Sequence, residues 1–284
     1  LNIINHAPQS YFDTAAEMIL NGSLQIPLFV VKNNTPVELY EGSVSPLDAP
    51  SIVQLNKSEV SKYMGNKAAF IYLGSITCVF CGDSRLAMEL ALSRFGSFKD
   101  LYYGYSSFGD ADLPTFYFAP EPYNSSGLDD VTNYYNGSIN LVTIEDINPI
   151  TGGFDLNPLT TITSNVFSSK NEEASNAMTL INSLLSNSTT QFSGTPYVIA
   201  GDYLFKGVPG INFGVDGTTP NNIQGTYIQD LRHSQILQMI ANPNTQLAWG
   251  YYAIADIYIA ALCKSMGNSA PACTPQMQSL EQYV

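Results

Sequence analysis

Apolar residues recur along this chain in two rhythms, and the places where one gives way to the other mark its elements. Residues 9–20, QSYFDTAAEMIL, have the spacing of a helix and close on Asn21-Gly22. Ile26 to Val31 is a short apolar run that reads as a strand. Residues 41–51, rich in Ser and Pro, read as a loop, and Ser58 to Met64 as a short helix before a Gly-Asn turn. The clearest unit follows. Ala68 to Gly74, AAFIYLG, is the continuous apolar run that a strand buried on both faces needs. It leads into Cys78-Val79-Phe80-Cys81, after which RLAMELALSRFG sets Leu86, Leu90 and Phe95 at near-helical spacing and stops at Gly96.

Beyond this unit, Leu101 to Ser106 and Pro114 to Ala119 read as two strands around the turn Gly109-Asp110. From Pro120 to about Phe192 the composition shifts to Asn, Ser, Thr, Gly and Pro. That span holds one strand, Ile139 to Ile144, and one strong helix, Glu172 to Leu185. Gly194 to Phe205 has the form of a hairpin turning at Gly201-Asp202. Residues 207–225 read as a loop, and two helices, Tyr227 to Ala241 and Gln246 to Met266, close the chain on either side of Asn242-Pro243-Asn244. There is no internal repeat. The pattern predicts an α/β fold, a central mixed sheet flanked by helices. An N-terminal extension of helix and strand covers 1–54 and the main domain 55–284. A largely helical insertion is expected at about 120–192, with extra helices at the termini.

Composition changes the picture in two ways. Hydrophobic residues are 45% of the 284, enough for a sizeable core, but charged residues are only 12%, about half the usual share. Asn, Ser, Thr, Gln and Tyr supply the polarity, which is the habit of an exported surface protein. The net charge of −13 repels phosphate backbones and anionic lipid headgroups, so nucleic acid is not an expected partner. Six Asn-x-Ser/Thr sequons, at Asn21, Asn33, Asn56, Asn124, Asn136 and Asn187, lie among loop-forming residues. They point to glycosylation and an extracytoplasmic location. The chain opens on Leu1, which leaves room upstream for a signal peptide or membrane anchor. Leu247 to Cys263, with Asp256 near its middle, is at the short limit for a membrane span and reads better as a buried helix.

Three readings of Cys78-x-x-Cys81 compete. A structural zinc site needs four ligands in close pairs. Cys263 and Cys273 are spaced differently, and His6 and His233 have no ligand-like spacing, so no metal and no cofactor are expected. A permanent staple gains little from so short a loop. A redox pair fits best. At the start of a helix, Cys78 faces unpaired N–H groups and the positive end of the helix dipole, which favour thiolate, and Cys81 stands close enough to close a disulfide. Cys263 and Cys273 bracket the turn KSMGNSAPA and suit a stapling disulfide. Thr195-Pro196 opens the first strand of the later hairpin. In a thioredoxin-like fold a cis-proline loop faces the cysteine pair, and the residue before the proline binds the client backbone. Order and context favour a cis bond at Pro196.

With these residues in place, the chain resembles an archaeal thioredoxin-like family, domain of unknown function 929. The likeness rests on AAFIYLGSITCVFCGDSRLAMELALSRFGSF, with its cysteine pair, Arg85 and the block Ala91 to Gly96. Tyr105-Ser106-Ser107, PTFYF, TPYVIAGDYLFKG and the late AALCKSMGNSAPAC add to it in the same order, over roughly residues 55–275. The resemblance implies a thioredoxin-like core with a helical insertion, usually behind an N-terminal anchor. Cys78 would be the nucleophile, Cys81 the resolving cysteine and Pro196 the cis-proline. Family members often have Pro plus an aromatic between the cysteines. Val79-Phe80 here, with no histidine, argues against a strong oxidant.

The leading expectation is therefore an extracytoplasmic thiol–disulfide oxidoreductase acting on protein thiol or disulfide clients, with Thr195 and Pro196 holding the client strand. The alternative is a non-catalytic, glycosylated cell-surface subunit of a filament or layer, whose partners are neighbouring surface-protein subunits. Sparse charge, the sequons and the Val-Phe dipeptide support it. Other chemistry is weaker. His233 reads as a helix-surface residue, and no Gly-x-Ser-x-Gly marks a hydrolase. Glu145, Asp146 and Asp155 match no calcium loop. The tyrosines at 102, 103, 105, 134, 135, 251 and 252 suit core and surface stacking better than a glycan-binding strip.

Overall fold

Strand β4 (Ala69–Ser75) organises the molecule, because it is apolar on both faces and both faces must be covered. The computed structural model describes residues 1–24, 26–32, 35–44, 52–75, 78–106, 113–118, 135–146, 176–177, 179–181, 183–184, 196–206 and 231–284. The strand β9 (Asn140–Asp146) runs parallel to β4 along its whole length. On its other edge β4 pairs antiparallel with β10 (Tyr197–Ala200), Leu73 opposite Tyr197. Gly201 and Asp202 turn β10 into β11 (Tyr203–Lys206), and β3 (Ile52–Gln54) closes that edge. The resulting order is β3-β11-β10-β4-β9, a mixed sheet flanked by helices.

Period-two alternation sends Phe70 and Tyr72 to one face and Ala69, Ile71 and Leu73 to the other. The first face carries α4 (Val79–Leu92) and α6 (Gln246–Ser265), with the Tyr258 ring 5.6 Å from Phe70 and 5.0 Å from Phe205. The second face meets Val60 and Met64 of α3 (Lys57–Met64), and Ala177, Leu180 and Ile181 from a helical stretch. Every residue of α6 from Gly250 to Cys263 is buried. This segment is a core helix, and no helix among the described residues is long and apolar enough to cross a membrane.

Shorter elements frame this core. The helices α1 (Asn2–Asn5) and α2 (Gln9–Leu20) lie against it, with Phe12 edge-on to Tyr252 at 5.0 Å. Arg94 fastens them by donating to Gln9 Oε1 and to the Ala7 carbonyl. A disulfide joins Cys263 to Cys273, 5.5 Å apart at Cα, across the turn into α7 (Pro275–Leu280). The hairpin β1 (Ile26–Lys32) with β2 (Thr35–Val44) stands as its own two-stranded sheet. So do the pairs β5 (Gly96–Phe98) with β8 (Tyr135–Gly137), and β6 (Tyr102–Tyr105) with β7 (Pro114–Tyr117).

The structure departs from the sequence pattern in several places. Residues 41–44, read as loop, complete β2, whose Pro36, Gly42 and Ser43 weaken the strand signal. α4 ends at Leu92, and Gly96 opens β5 instead of stopping the helix. A Cβ at Gly96 would press on the backbone of Asn136 and Gly137 at 2.5 Å. α5 (His233–Ala241) starts later than Tyr227, at a cap on Arg232, and residues 227–230 lie outside the described set. The strand expected at Ile139 to Ile144 is present as β9, which belongs to the central sheet, and β8 precedes it.

The turn at Gly201 packs closely on Ser265 of α6. Its φ is +60°, and a Cβ there would overlap the side chain of Ser265, whose Oγ accepts the Asp202 N–H at 2.7 Å. Gly201→Ala is expected to lower unfolding free energy by about 2–4 kcal/mol, from left-handed strain plus overpacking. Denaturant unfolding of the two proteins checks this, and an unchanged midpoint would contradict it.

Candidate functional site

The dithiol sits where β4 hands over to α4. Cys78 is the N-cap residue of the helix, with extended backbone (φ −75°, ψ 128°), and its carbonyl accepts the first helical bond, from Gly82 N at 2.9 Å. Cys81 lies in the first turn, so the pair shares one end of the helix. Both side chains are fully buried, at 0% exposure. Both are thiols in this structure.

Pro196 reaches the same edge by strand pairing. β10 begins at Tyr197, opposite Leu73, and runs antiparallel to β4. Pro196, one residue before it and buried, therefore stands at the end of β4 from which the chain leads to Cys78. Thr195 lies outside the described residues, and strand pairing puts Pro196 at the end of β4 from which the chain leads to Cys78 and Cys81.

Sequence reasoning missed the charge buried behind the pair. Asp83, Ser84, Arg85 and Glu89 of α4 are all fully buried, although Asp, Glu and Arg are rarely so. The Arg85 guanidinium lies 5.1 Å from the Tyr117 ring and 5.9 Å from Tyr72, and its Nη1 donates to Thr115 Oγ1 at 3.4 Å. Thr115 in turn donates to the Gly82 carbonyl at 2.6 Å, which ties β7 to the first turn of α4. Asp83 Oδ1 accepts a short hydrogen bond from the Tyr251 hydroxyl, and Oδ2 has no hydrogen-bond partner among the described residues. Burial pushes the Asp83 carboxyl up to about 7, against the opposing pull of Tyr251. Asp256 on α6 is also fully buried, with neither oxygen hydrogen-bonded among the described residues. Burial, then the charge of Asp13, raises its pKa well above the usual carboxylate range, while Arg94 opposes the shift.

Other sequence candidates lie away from the pair or outside the described residues. Asn21, Asn56 and Asn136 are exposed, whereas Asn33, Asn124 and Asn187 are not among the described residues. The side-chain oxygens of Asn21 and Asn56 accept the backbone N–H two residues on, which occupies the oxygen and not the nitrogen that a glycan modifies. His233 is half-buried, and its Nε2 donates to the carbonyls of Gly104 and Thr115, both at 2.9 Å. Its ring lies between Tyr103 and Tyr105, so it braces the β6–β7 hairpin. Asp155 and the side chains of Glu145 and Asp146 are outside the description. No cluster of three metal-ligating side chains occurs among the described residues. A cavity of about 360 Å³, lined by Lys57, Lys67, Asp202 and Ser265 among others, opens at the opposite end of β4, by Ala69 and Gly201, away from the dithiol.

No protein-family model matches this chain, and no curated protein or solved structure does either.

The buried acids give stability a pH dependence of definite sign. A carboxyl whose pKa rises on folding costs nothing while protonated, so its contribution is intact below about pH 4. It is lost as pH climbs from the unfolded value of 3.8 towards the folded value of about 7, and stays level above that. For Asp83 alone this bounds the loss at about 4 kcal/mol. Unfolding free energy should fall between pH 4 and pH 7, and Asp83→Asn should flatten the fall. A stability that rises over that interval would contradict the buried placement.

Proposed function

We propose that this chain is a thioredoxin-like thiol–disulfide exchange protein that works through Cys78 and Cys81, with Pro196 beside them. The observation that carries the reading is the convergence of these residues at one sheet edge. A helix starts at the dithiol directly after the central strand, and the strand that follows Pro196 pairs with that same central strand. The β4–α4–β9 crossover, followed by the β10–β11 hairpin in the same mixed sheet, is the arrangement a thioredoxin-like fold needs. The sequence resemblance to domain of unknown function 929 supports the same fold. Together with the sequons it supports an extracytoplasmic location and protein thiols or disulfides as clients.

The chemistry is a two-electron exchange. Cys78 thiolate attacks one sulfur of a client disulfide, forming a mixed disulfide and expelling the other client sulfur as thiolate. Cys81 then gives up its proton and attacks the Cys78 sulfur, releasing the second client thiolate. The client gains two electrons and two protons, and the pair is left as a disulfide. Nucleophilic attack needs an in-line approach to Cys78, so exchange proceeds from a form in which the sulfur is uncovered.

The full burial of both sulfurs favours a second reading, the non-catalytic surface subunit that keeps the fold and not the turnover. Insulin reduction separates the two. The exchange reading expects activity that Cys78→Ser abolishes, with Cys81→Ser trapping a mixed disulfide visible by mass spectrometry. No reduction and no trapped adduct, in a protein that assembles into ordered layers under the electron microscope, would establish the subunit.

A further inference from the structure

The end of β4 away from the dithiol carries a second concavity, which the exchange chemistry does not use. Its volume of about 360 Å³ is at the small end of the range in which ligand pockets fall, about 300–1,000 Å³. The lining is mostly polar and includes Lys57, Ser61, Asn66, Lys67, Asp202 and Ser265. Short hydrogen bonds fix its walls. Lys57 Nζ, at the start of α3, donates to the Ser265 carbonyl at the end of α6, at 2.8 Å. The Gly201 N–H donates to the Ala69 carbonyl at 2.8 Å and the Asp202 N–H to Ser265 Oγ at 2.7 Å. Asn140 Nδ2 donates to the Met64 carbonyl at 3.1 Å and so holds the far end of α3 against the sheet. The cavity is built before any ligand arrives, which lowers the cost of binding.

Donors outnumber acceptors in this lining. Lys67 makes no hydrogen bond or ion pair among the described residues, and Lys57 uses one of its three N–H donors on Ser265. Asp202 supplies the carboxylate of the lining, and its oxygens have no hydrogen-bond partner among the described residues. Burial raises the Asp202 pKa, and the charge of Lys57 opposes the rise. Other charges on the flanking elements are engaged elsewhere. Glu59 accepts from Ser183 Oγ at 2.9 Å, Lys62 lies 4.9 Å from the Tyr63 ring, and Lys264 donates to the carbonyl oxygens of Glu281 and Val284. At the end of α6 the carbonyls of Leu262, Cys263 and Lys264 accept the N–H groups of Met266, Asn268 and Gly267, which leaves the Ser265 carbonyl for Lys57. Two ammoniums thus stand against one carboxylate and the partial negative charge of a helix end. The balance is positive, in a chain whose net charge is −13. Such a site takes an anion, and Asp202 sets its kind: it repels a dianion and accepts from a hydroxyl.

We propose that this cavity binds a small hydroxylated monocarboxylate, a sugar acid: Lys67, backed by Lys57, takes the carboxylate, and Asp202 accepts from a hydroxyl. The site is independent of the thiol–disulfide reading and stands or falls without it.

Isothermal titration calorimetry of the full chain with D-glucuronate tests the proposal, with glucose and inorganic phosphate as comparison probes. Glucuronate is expected to bind saturably at one site, and glucose, which lacks the carboxylate, at least about tenfold more weakly. Lys67→Met should weaken glucuronate binding roughly tenfold, and added salt should weaken it further in the wild type. Lys62→Met, on the same helix as Lys57 but outside the lining, should leave it unchanged. Both lysines are exposed, so neither substitution threatens the fold. Amide shifts of Ser61, Asn66 and Gly201 on titration should place the ligand in this cavity. No saturation up to about 10 mM glucuronate, shifts confined to other residues, or undiminished binding by Lys67→Met would overturn the proposal. So would glucose that binds as tightly as glucuronate, or phosphate that displaces it at equal concentration.

Discussion

A strand that is apolar on both faces must be roofed, floored and paired on both edges, and meeting that demand for β4 arranges everything else. Its edges take β9 and β10, and its faces take α4 with α6 on one side and α3 with the 176–184 helical residues on the other. The parallel partner on one edge requires a crossover, and α4 begins it. The antiparallel partner on the other edge starts just after Pro196. The dithiol and the proline lie towards the same end of β4 because of these pairings, although more than a hundred residues separate them in sequence.

The covering of β4 has an electrostatic cost. The core around α4 and α6 encloses Asp83, Arg85, Glu89 and Asp256, where an apolar core would be more stable. Burial raises the carboxyl pKa of both Asp83 and Asp256, which favours the protonated, uncharged form. The Arg85 guanidinium lies beside the rings of Tyr72 and Tyr117 and donates to the Thr115 hydroxyl.

Much of this was legible in the sequence where one physical signal dominated. The continuous run of β4, the helix after Cys81, the Gly201-Asp202 hairpin and the apolar α6 each follow from period or turn chemistry. The edges were not. β3 and β5 are three residues long, too short to show alternation, and β2 carries proline and glycine within it. In the site, the cysteine spacing and Thr195-Pro196 could be read from local pattern. Asp83 and Arg85 could not, because charged residues in a helix normally mark its wet face, whereas α4 is buried all round from Cys81 to Ser93. The one available signal was Arg85 standing a single helical turn after Cys81.

The central claim is that β10 pairs with β4 so that Pro196 and Cys78 share one sheet edge. Nuclear Overhauser contacts in the folded protein test it most directly. The account predicts cross-strand backbone contacts between Leu73 and Tyr197, and side-chain contacts from Pro196 to the first turn of α4. A Tyr197 paired with a different strand, or a Pro196 whose contacts all lie at the Ala69 end of β4, would contradict it.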